Sequence, residues 1–330
     1  MAKAAYVGVD GVARKIKKGY IGIDGVARKI KKAYVGDENG KARLFWSSDA
    51  KWVQTTMPSS ASWNAVCYGN GKFVALSSDN TSIAAYSTDG INWTQSTSSI
   101  NGIWYSVCYG GGKFVAVAND SNIAAYSTDG ITWTKTTLPA SANWHAVCYG
   151  NGKFVAVAYG QKFVAYSTDG ITWTKATLPA QENWNSVCYG NGKFVAVANL
   201  NTAAAYSTDG ITWTKATLPS KIATPVIAYG NGKFVVVPYS SSNKYTAYST
   251  DGINWIQGEL PTNALWKSIA YGDGKFVAIT YNNTIVAYST DGINWTQDTL
   301  PVKKYWKSIA YGNGKFVAVA GSTNIGLCYE

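Results

Sequence analysis

The stretch AYSTDGITWTK occupies residues 125–135, 165–175 and 205–215, so the same eleven residues are written three times at a spacing of forty. Repetition that strict either distributes fragments of a site or closes one structural unit per turn. The wider pattern favours the second. Tyr-Ser-Thr recurs with its tyrosine at Tyr86, Tyr126, Tyr166, Tyr206, Tyr248 and Tyr288, in steps of 40, 40, 40, 42 and 40. Gly-Lys-Phe recurs with its phenylalanine at Phe73, Phe114, Phe154, Phe194, Phe234, Phe276 and Phe316, marking seven units, and FWSSDAKW (residues 45–52) reads as a worn start of a further copy of the first marker. A period of about 40 residues with four strand-like runs is the signature of propeller blades.

Within one copy the strands are legible. WHAVCYG (residues 144–150) is a short apolar run, and NGKFVAVA (151–158) opens on Asn-Gly, the signal of a type I′ hairpin. FVAYST follows a variable loop, then Asp-Gly predicts a second tight turn before ITWTKA. Leu-Pro, as at Leu138 and Pro139, predicts the point where the fourth strand stops. The expected fold is all-β, a seven-bladed propeller of four-stranded antiparallel blades over residues 45–330, preceded by an array of small β-hairpins over residues 1–44. Two stretches, RLFWSS (43–48) and the terminal IGLCYE (325–330), both resemble a third strand. The N-terminal hairpin is expected to complete the last blade, with the tail added to it or displaced.

Composition agrees with a folded chain: 330 residues, 46% hydrophobic, 14% aromatic. The aliphatic runs fall far short of the ~20 residues that span a bilayer, and the start has no apolar stretch of signal-peptide length, so no membrane span is expected. Cys67, Cys108, Cys148 and Cys188 hold one repeat position that later copies fill with Ala228, Ala270 and Ala310, so a small buried side chain is what the position asks for. Reduced core thiols are expected, with neither disulfide nor metal, since no Cys-x-x-Cys spacing occurs.

The motif Ser-x-Asp-Gly-x-x-Trp, as in Ser127, Asp129, Gly130 and Trp133, resembles the Asp-box of sialidase-type propellers, shortened by one residue between Asp and Gly. The resemblance implies a structural hairpin between third and fourth strands, in which Asp89, Asp129, Asp169, Asp209, Asp251 and Asp291 cap backbone N–H groups and the following tryptophans wedge between strands. Burying one tryptophan is worth roughly 4–6 kcal/mol as an upper bound, which explains the repetition without any chemistry. Sialidase activity is not expected. Its arginine triad has no counterpart, because Arg14, Arg28 and Arg43 all precede the first blade, and lysine substitutes poorly for the guanidinium fork. The non-repeat acids Asp79, Asp120, Glu182, Glu259 and Asp298 fall in five different copies and read as solvated loop residues rather than a carboxylate pair. No catalytic residue and no cofactor is assigned.

If the repeated parts are scaffold, function belongs to the parts that differ between copies. The loop after KFVAVA and the loop holding Leu-Pro vary from copy to copy, and in a four-stranded antiparallel blade both lie at one end, with the Asn-Gly and Asp-Gly turns at the other. The variable end is rich in Asn, Ser, Thr and Tyr, a mixture that suits the apolar faces and hydroxyls of a sugar ring. The candidate ligand-binding residues are Tyr105, His145, Tyr159, Asn201, Tyr239, Tyr245 and Tyr281, with Trp104 and Trp144 beside them. The tryptophans read first as packing between blades. His145, the only histidine, follows Trp144 where other copies have Asn64, Tyr105, Asn185 or Lys267, and reads as a surface variant rather than a general base.

The formal net charge is +11, of which residues 1–44 carry +7 with eleven Lys and Arg against four Asp and Glu. The basicity is concentrated at the front, and no nucleic-acid partner is expected. That front segment reads AYVGVDGVARKIKK, GYIGIDGVARKIKK and AYVGDENGKARLFW, three copies of a 14-residue hairpin with Tyr6, Tyr20 and Tyr34 in register. Isolated hairpins are marginal in water, so strand addition to a partner is expected, a solvated tail being the alternative. These units resemble short repeats in tail-associated structural proteins of phages and prophages of clostridia and related Gram-positive bacteria. The resemblance implies a virion protein attached to other virion proteins through residues 1–44, where Tyr6, Arg14, Tyr20, Arg28, Tyr34 and Arg43 are the candidate attachment residues. The expected function is host attachment: an adhesin, presented in several copies on the particle, that recognises a surface polysaccharide or cell-wall glycan. A decoration or baseplate component binding other virion proteins is the alternative, and a carbohydrate-cleaving enzyme a third.

Overall fold

A computed structural model describes residues 51–79, 83–96 and 101–330 with their side chains, and before them the backbones of six strands. Those six strands pair as three separate two-stranded antiparallel hairpins, Tyr6–Val9 with Val12–Lys15, Tyr20–Ile23 with Val26–Lys29, and Lys32–Gly36 with Ala42–Ser47. The side chains of Tyr6, Arg14, Tyr20, Arg28, Tyr34 and Arg43 lie outside the described residues. The chain divides into two compact units, residues 1–52 with 329–330, and Val53–Cys328.

Among the described residues every regular element is a strand, and the larger unit is a propeller-like succession of four-stranded antiparallel sheets. One quartet is Trp63–Gly69, Lys72–Ser77, Ala84–Ser87 and Thr94–Gln95, hydrogen-bonded in chain order. Another is Val226–Gly230, Lys233–Val237, Tyr245–Ser249 and Ile256–Glu259. Between them the quartets fuse. Thr134–Gly150 and Thr174–Gly190 are 17-residue strands that serve as the outer strand of one quartet and the inner strand of the next, giving a nine-stranded sheet. Leu-Pro therefore does not stop the strand as expected. Pro139 sits where the pairing skips from Thr137 to Ala142, so no ladder N–H is demanded of it, while Leu138 is buried to 2% exposure and pins the bend.

The Gly-Lys-Phe hairpins behave as read: Asn151 and Gly152 both have positive φ, 44° and 72°, the conformation a type I′ turn requires. The Asp-Gly segment differs from the tight turn expected. Between Ser127 and Thr134 the chain makes a wider loop that one aspartate organises: Asp129 Oδ1 accepts from the backbone N–H of Ile131 and Thr132 and from Ser127 Oγ, while Ser127 Oγ accepts from Gly130 N, all at 2.8–2.9 Å. Where asparagine replaces threonine, its amide adds a further donor, as from Asn294 to Asp291 at 2.8 Å. Trp133 then lies over Phe114 with ring centroids 6.4 Å apart, and Trp173 over Phe154 at 6.5 Å.

Neighbouring quartets interlock through Tyr-Gly at the end of each inner strand. A Cβ on Gly150 would fall 2.0 Å from the ring of Tyr189, and one on Gly69 would fall 2.0 Å from the ring of Tyr109. The series closes on itself, since a Cβ on Gly312 would meet the ring of Tyr68 at 1.9 Å. Asparagines of the turns tie the same end together: Asn70 donates to the Thr128 carbonyl, Asn151 to that of Thr208 and Asn313 to that of Thr88, at 3.2–3.4 Å.

Closure corrects the expected start and end of the ring. Ala42–Ser47, expected to open the propeller or complete its last blade, pairs with Lys32–Gly36 instead. The last quartet takes Thr323–Tyr329 as its third strand and Trp52–Ala61 as its fourth. Lys51 and Glu330 exchange both backbone hydrogen bonds, at 2.8 and 3.1 Å, and Trp52 meets Tyr329 edge to face at 5.3 Å. All five cysteines are free thiols. Burial pushes Cys67, Cys108, Cys148 and Cys188 well above the ordinary thiol range, so they are inert at neutral pH.

Two predictions follow from this packing. Gly150→Ala drives a methyl into Tyr189 and should cost about 1–3 kcal/mol, whereas Gly152→Ala, with nothing within 4 Å, should cost only about 1 kcal/mol through its positive φ; urea midpoints compare them. The second concerns acid. Burial pushes the turn carboxyls up, but backbone and side-chain donors outweigh it and hold Asp169, Asp209 and Asp291 at about 2, with Asp89, Asp129 and Asp251 also lowered. Their folded values lie below the unfolded ~3.9, so the stability they contribute is complete above pH ~4 and is lost as pH falls through about 2. Melting temperature should drop across that window, and drop less in the Asp169→Asn, Asp209→Asn, Asp291→Asn variant, which starts lower at pH 6.

Candidate functional site

Antiparallel order puts the Asn-Gly and Ser-Asp turns at one end of each quartet and the divergent loops at the other. At the divergent end a tryptophan enters the inner strand of every quartet except that of Val226–Gly230, and Trp63, Trp104, Trp144, Trp184, Trp266 and Trp306 are at most 1% exposed. Trp104 and Trp144 are therefore core anchors and cannot serve as sugar platforms, which corrects their place among the candidates. Their indoles hold the loops down instead: Trp144 Nε1 donates to the Ala140 carbonyl at 3.2 Å, and Trp63 and Trp266 make the equivalent bonds to Ser59 and Thr262.

The residue after each tryptophan sits at a register shift, as between Trp144 and Ala146, and is turned out of the ladder. Those displaced residues converge. Asn64, Tyr105, His145, Asn185, Lys267 and Lys307 line one cavity of about 330 Å³, together with Thr224, Val226, Ala146 and Ser106, Ser186, Ser268 and Ser308. Because its walls come from successive inner strands, the cavity is the mouth of the ring's axis.

One wall is aromatic. His145 is stacked between Tyr105 and Tyr159, with centroids 5.0 Å away on each side and planes tilted by about 30°. Asn185 Nδ2 donates to the Pro225 carbonyl at 2.8 Å, which turns its Oδ1 toward His145 Nδ1 at 3.1 Å. An amide oxygen only accepts, so Nδ1 carries the proton and Nε2 is left as acceptor. Burial lowers the His145 pKa from 6.5, the Asn185 bond opposes this, and the Lys267 charge lowers it further, so the ring is neutral at pH 7.

The opposite wall is cationic. Lys307 Nζ lies 4.9 Å from the centroid of Tyr281 and Lys267 Nζ 5.4 Å from that of Tyr239. Tyr281 in turn contacts Tyr239 and Tyr305, at 5.8 and 5.1 Å. Burial together with the Lys307 charge pulls Lys267 down to about 8, and burial also lowers Lys307.

Of the candidates read from sequence, Tyr105 and His145 line the cavity, while Tyr159, Tyr239 and Tyr281 stack against its lining residues. Asn201 lies apart, its amide bonded to Glu182 in a smaller recess of about 170 Å³. Tyr245 also lies apart, 41% exposed and paired across the strand with Glu259. The non-repeat acids are dispersed in local roles: Asp79 accepts from Ser62 N at 2.9 Å, and Glu259 pairs with Lys244 at 2.7 Å. The sequence reading missed Lys267 and Lys307 as site residues. Its signal was the variable position directly after the repeated tryptophan, from which it drew only Tyr105 and His145 as candidates.

Residues 140–258 match the model of the DUF6242 beta propeller domain. No curated protein matches the chain. Among solved structures, virginiamycin B lyase from Staphylococcus aureus shares the fold with a TM-score of 0.75 at 14% identity, covering 86% of this chain and 100% of that one. YCF48 from Cyanidioschyzon merolae does so with a TM-score of 0.66 at 13% identity, covering 85% and 99%. The chain contains a β-propeller domain, and at these identities the likeness speaks for the fold alone.

The site's electrostatics are checked by titrating the single imidazole by NMR. Its midpoint should fall below 6.5, and Lys267→Met should move it upward by removing the neighbouring charge. A midpoint unmoved by that substitution would show that the two walls do not sense each other.

Proposed function

We propose that this chain is a non-catalytic adhesin that binds a host surface glycan at the axial cavity of a seven-bladed propeller. The observation that carries this reading is the cavity itself, in which Tyr105 and His145, backed by Tyr159, face amide, hydroxyl and ammonium groups across a space of about 330 Å³. Aromatic faces beside many donors suit a pyranose ring. The blade count is supported by the series of Tyr-on-Gly contacts, which returns from Gly312 to Tyr68 after seven steps. The Ser-x-Asp-Gly turn is read as a shortened Asp-box with a purely structural task. Tail association in a phage is supported by the resemblance of residues 1–44 to short tail-protein repeats, and multiple copies on a particle would raise avidity by about 10²–10⁴ without new contacts.

A binding role rather than catalysis is supported by the lining, where the imidazole is held by Asn185 and no carboxylate stands opposite it. Quantified binding of the full chain to purified Gram-positive cell walls tests the proposal. Saturable binding should fall at least tenfold in a Tyr105→Ala, Tyr159→Ala variant and stay unchanged in Tyr245→Ala, whose side chain lies outside the cavity. Binding lost equally in all variants, or absent throughout, would turn the reading toward a structural virion component.

A further inference from the structure

The axial cavity holds an excess of positive donors that nothing in its lining answers. Lys267 and Lys307 come from consecutive inner strands and face the same space, and no aspartate or glutamate lines it. The ion pair of Lys244 with Glu259 lies elsewhere on the chain, outside the cavity lining. Two half-buried ammoniums without a counter-charge are an arrangement that costs free energy in the empty state and gains when an anion enters. The faces of Tyr239 and Tyr281 offset only part of that cost.

The hydroxyls beside the lysines point the same way. Ser268 Oγ accepts the backbone N–H of Ile309 at 3.2 Å, and Ser308 Oγ accepts that of Val66 at 3.3 Å. A hydroxyl whose lone pair is taken still has its proton to give. The cationic wall therefore offers ammonium and hydroxyl donors and few acceptors. Desolvation and mutual repulsion already show in Lys267, pulled down to about 8, so it remains charged at neutral pH and gains from a neighbouring anion.

We propose that Lys267 and Lys307 form an anion subsite, which holds a carboxylate or phosphate group of the bound saccharide while its ring packs against the exposed Tyr105. This rests on the glycan reading above. The ligand class is thereby narrowed to acidic polysaccharides, either uronic acid-containing or phosphate-bearing.

Calorimetry of the full chain at fixed ionic strength tests it with three probes: an α-linked oligogalacturonide, the same oligosaccharide with its carboxylates reduced to alcohols, and an oligo(glycerol phosphate). At least one charged probe should bind tenfold or more tightly than the neutral one, and which one does so identifies the anion. In a Lys267→Met, Lys307→Met variant that preference should disappear while the melting temperature does not fall, since the change removes two uncompensated charges from the empty cavity. A Lys153→Met, Lys193→Met variant removes the same charge at the opposite end of the sheets and should keep the preference. If it loses the preference equally, the attraction is the protein's bulk field and the subsite is refuted. Equal binding of all three probes would retain the glycan reading and overturn the anion subsite. Binding of the glycerol phosphate alone, abolished by the Lys267 and Lys307 changes, would uphold the subsite and overturn the saccharide. No binding of any probe would overturn both.

Discussion

Everything in the larger unit depends on the contact between a tyrosine ring and the bare Cα of a glycine on the preceding inner strand. With a Cβ-to-ring separation of only about 2 Å, no other residue than glycine fits without displacing the neighbour, so the approach of adjacent sheets is fixed at that contact. A ring whose members each demand the same close approach closes only at one radius. That radius sets the width of the axis, and hence the volume of the cavity at its mouth.

The same constraint explains why the two ends of the sheets differ so much in sequence. At the turn end several residues have obligations to another unit or to the turn itself: Asn151 reaches the Thr208 carbonyl, Gly170 lies under the Val115 side chain, and Asp169 caps its own loop. A change there is felt in the next sheet. At the other end the obligation is met by the buried tryptophan, whose indole holds the loop from below. The residue that follows it is bulged out of the ladder and is released from packing, so each unit can place a different group at the axis.

Much of this architecture was legible in the sequence because period, Asn-Gly turns and Gly-Lys-Phe runs are local and repeated. What was not legible depended on tertiary choices. Pro139 looked like a strand end, yet an extended chain bends through it because the bulge removes the need for its missing N–H. RLFWSS and IGLCYE were equivalent as strings, and pairing partners decided between them: the first found Lys32–Gly36, and the second took the place beside Lys315–Ala320. The tryptophans, kept among the candidates although they read first as packing between blades, are buried and so reach no ligand. Lys267 and Lys307 were visible as letters, but their convergence on one wall requires knowing that the position after the tryptophan faces the axis.

That position also gives the cavity its direction. If every unit contributed the same residue, the mouth would be a symmetric collar that could not orient a ligand. Here the early units supply Asn64, Tyr105 and His145 and the late ones Lys267 and Lys307, so an aromatic arc faces a cationic one. The middle is bridged by Asn185, whose amide is spent on Pro225 and His145 and therefore stiffens the wall instead of greeting a ligand. Charge acts across the gap, since the Lys267 ammonium helps keep His145 neutral, so that it stays an uncharged member of the aromatic stack rather than a second cation. A molecule with one flat apolar side and one polar edge has a single favourable orientation in such a space, and the repeat, by holding the backbone constant, allows that polarity to be written in a handful of side chains.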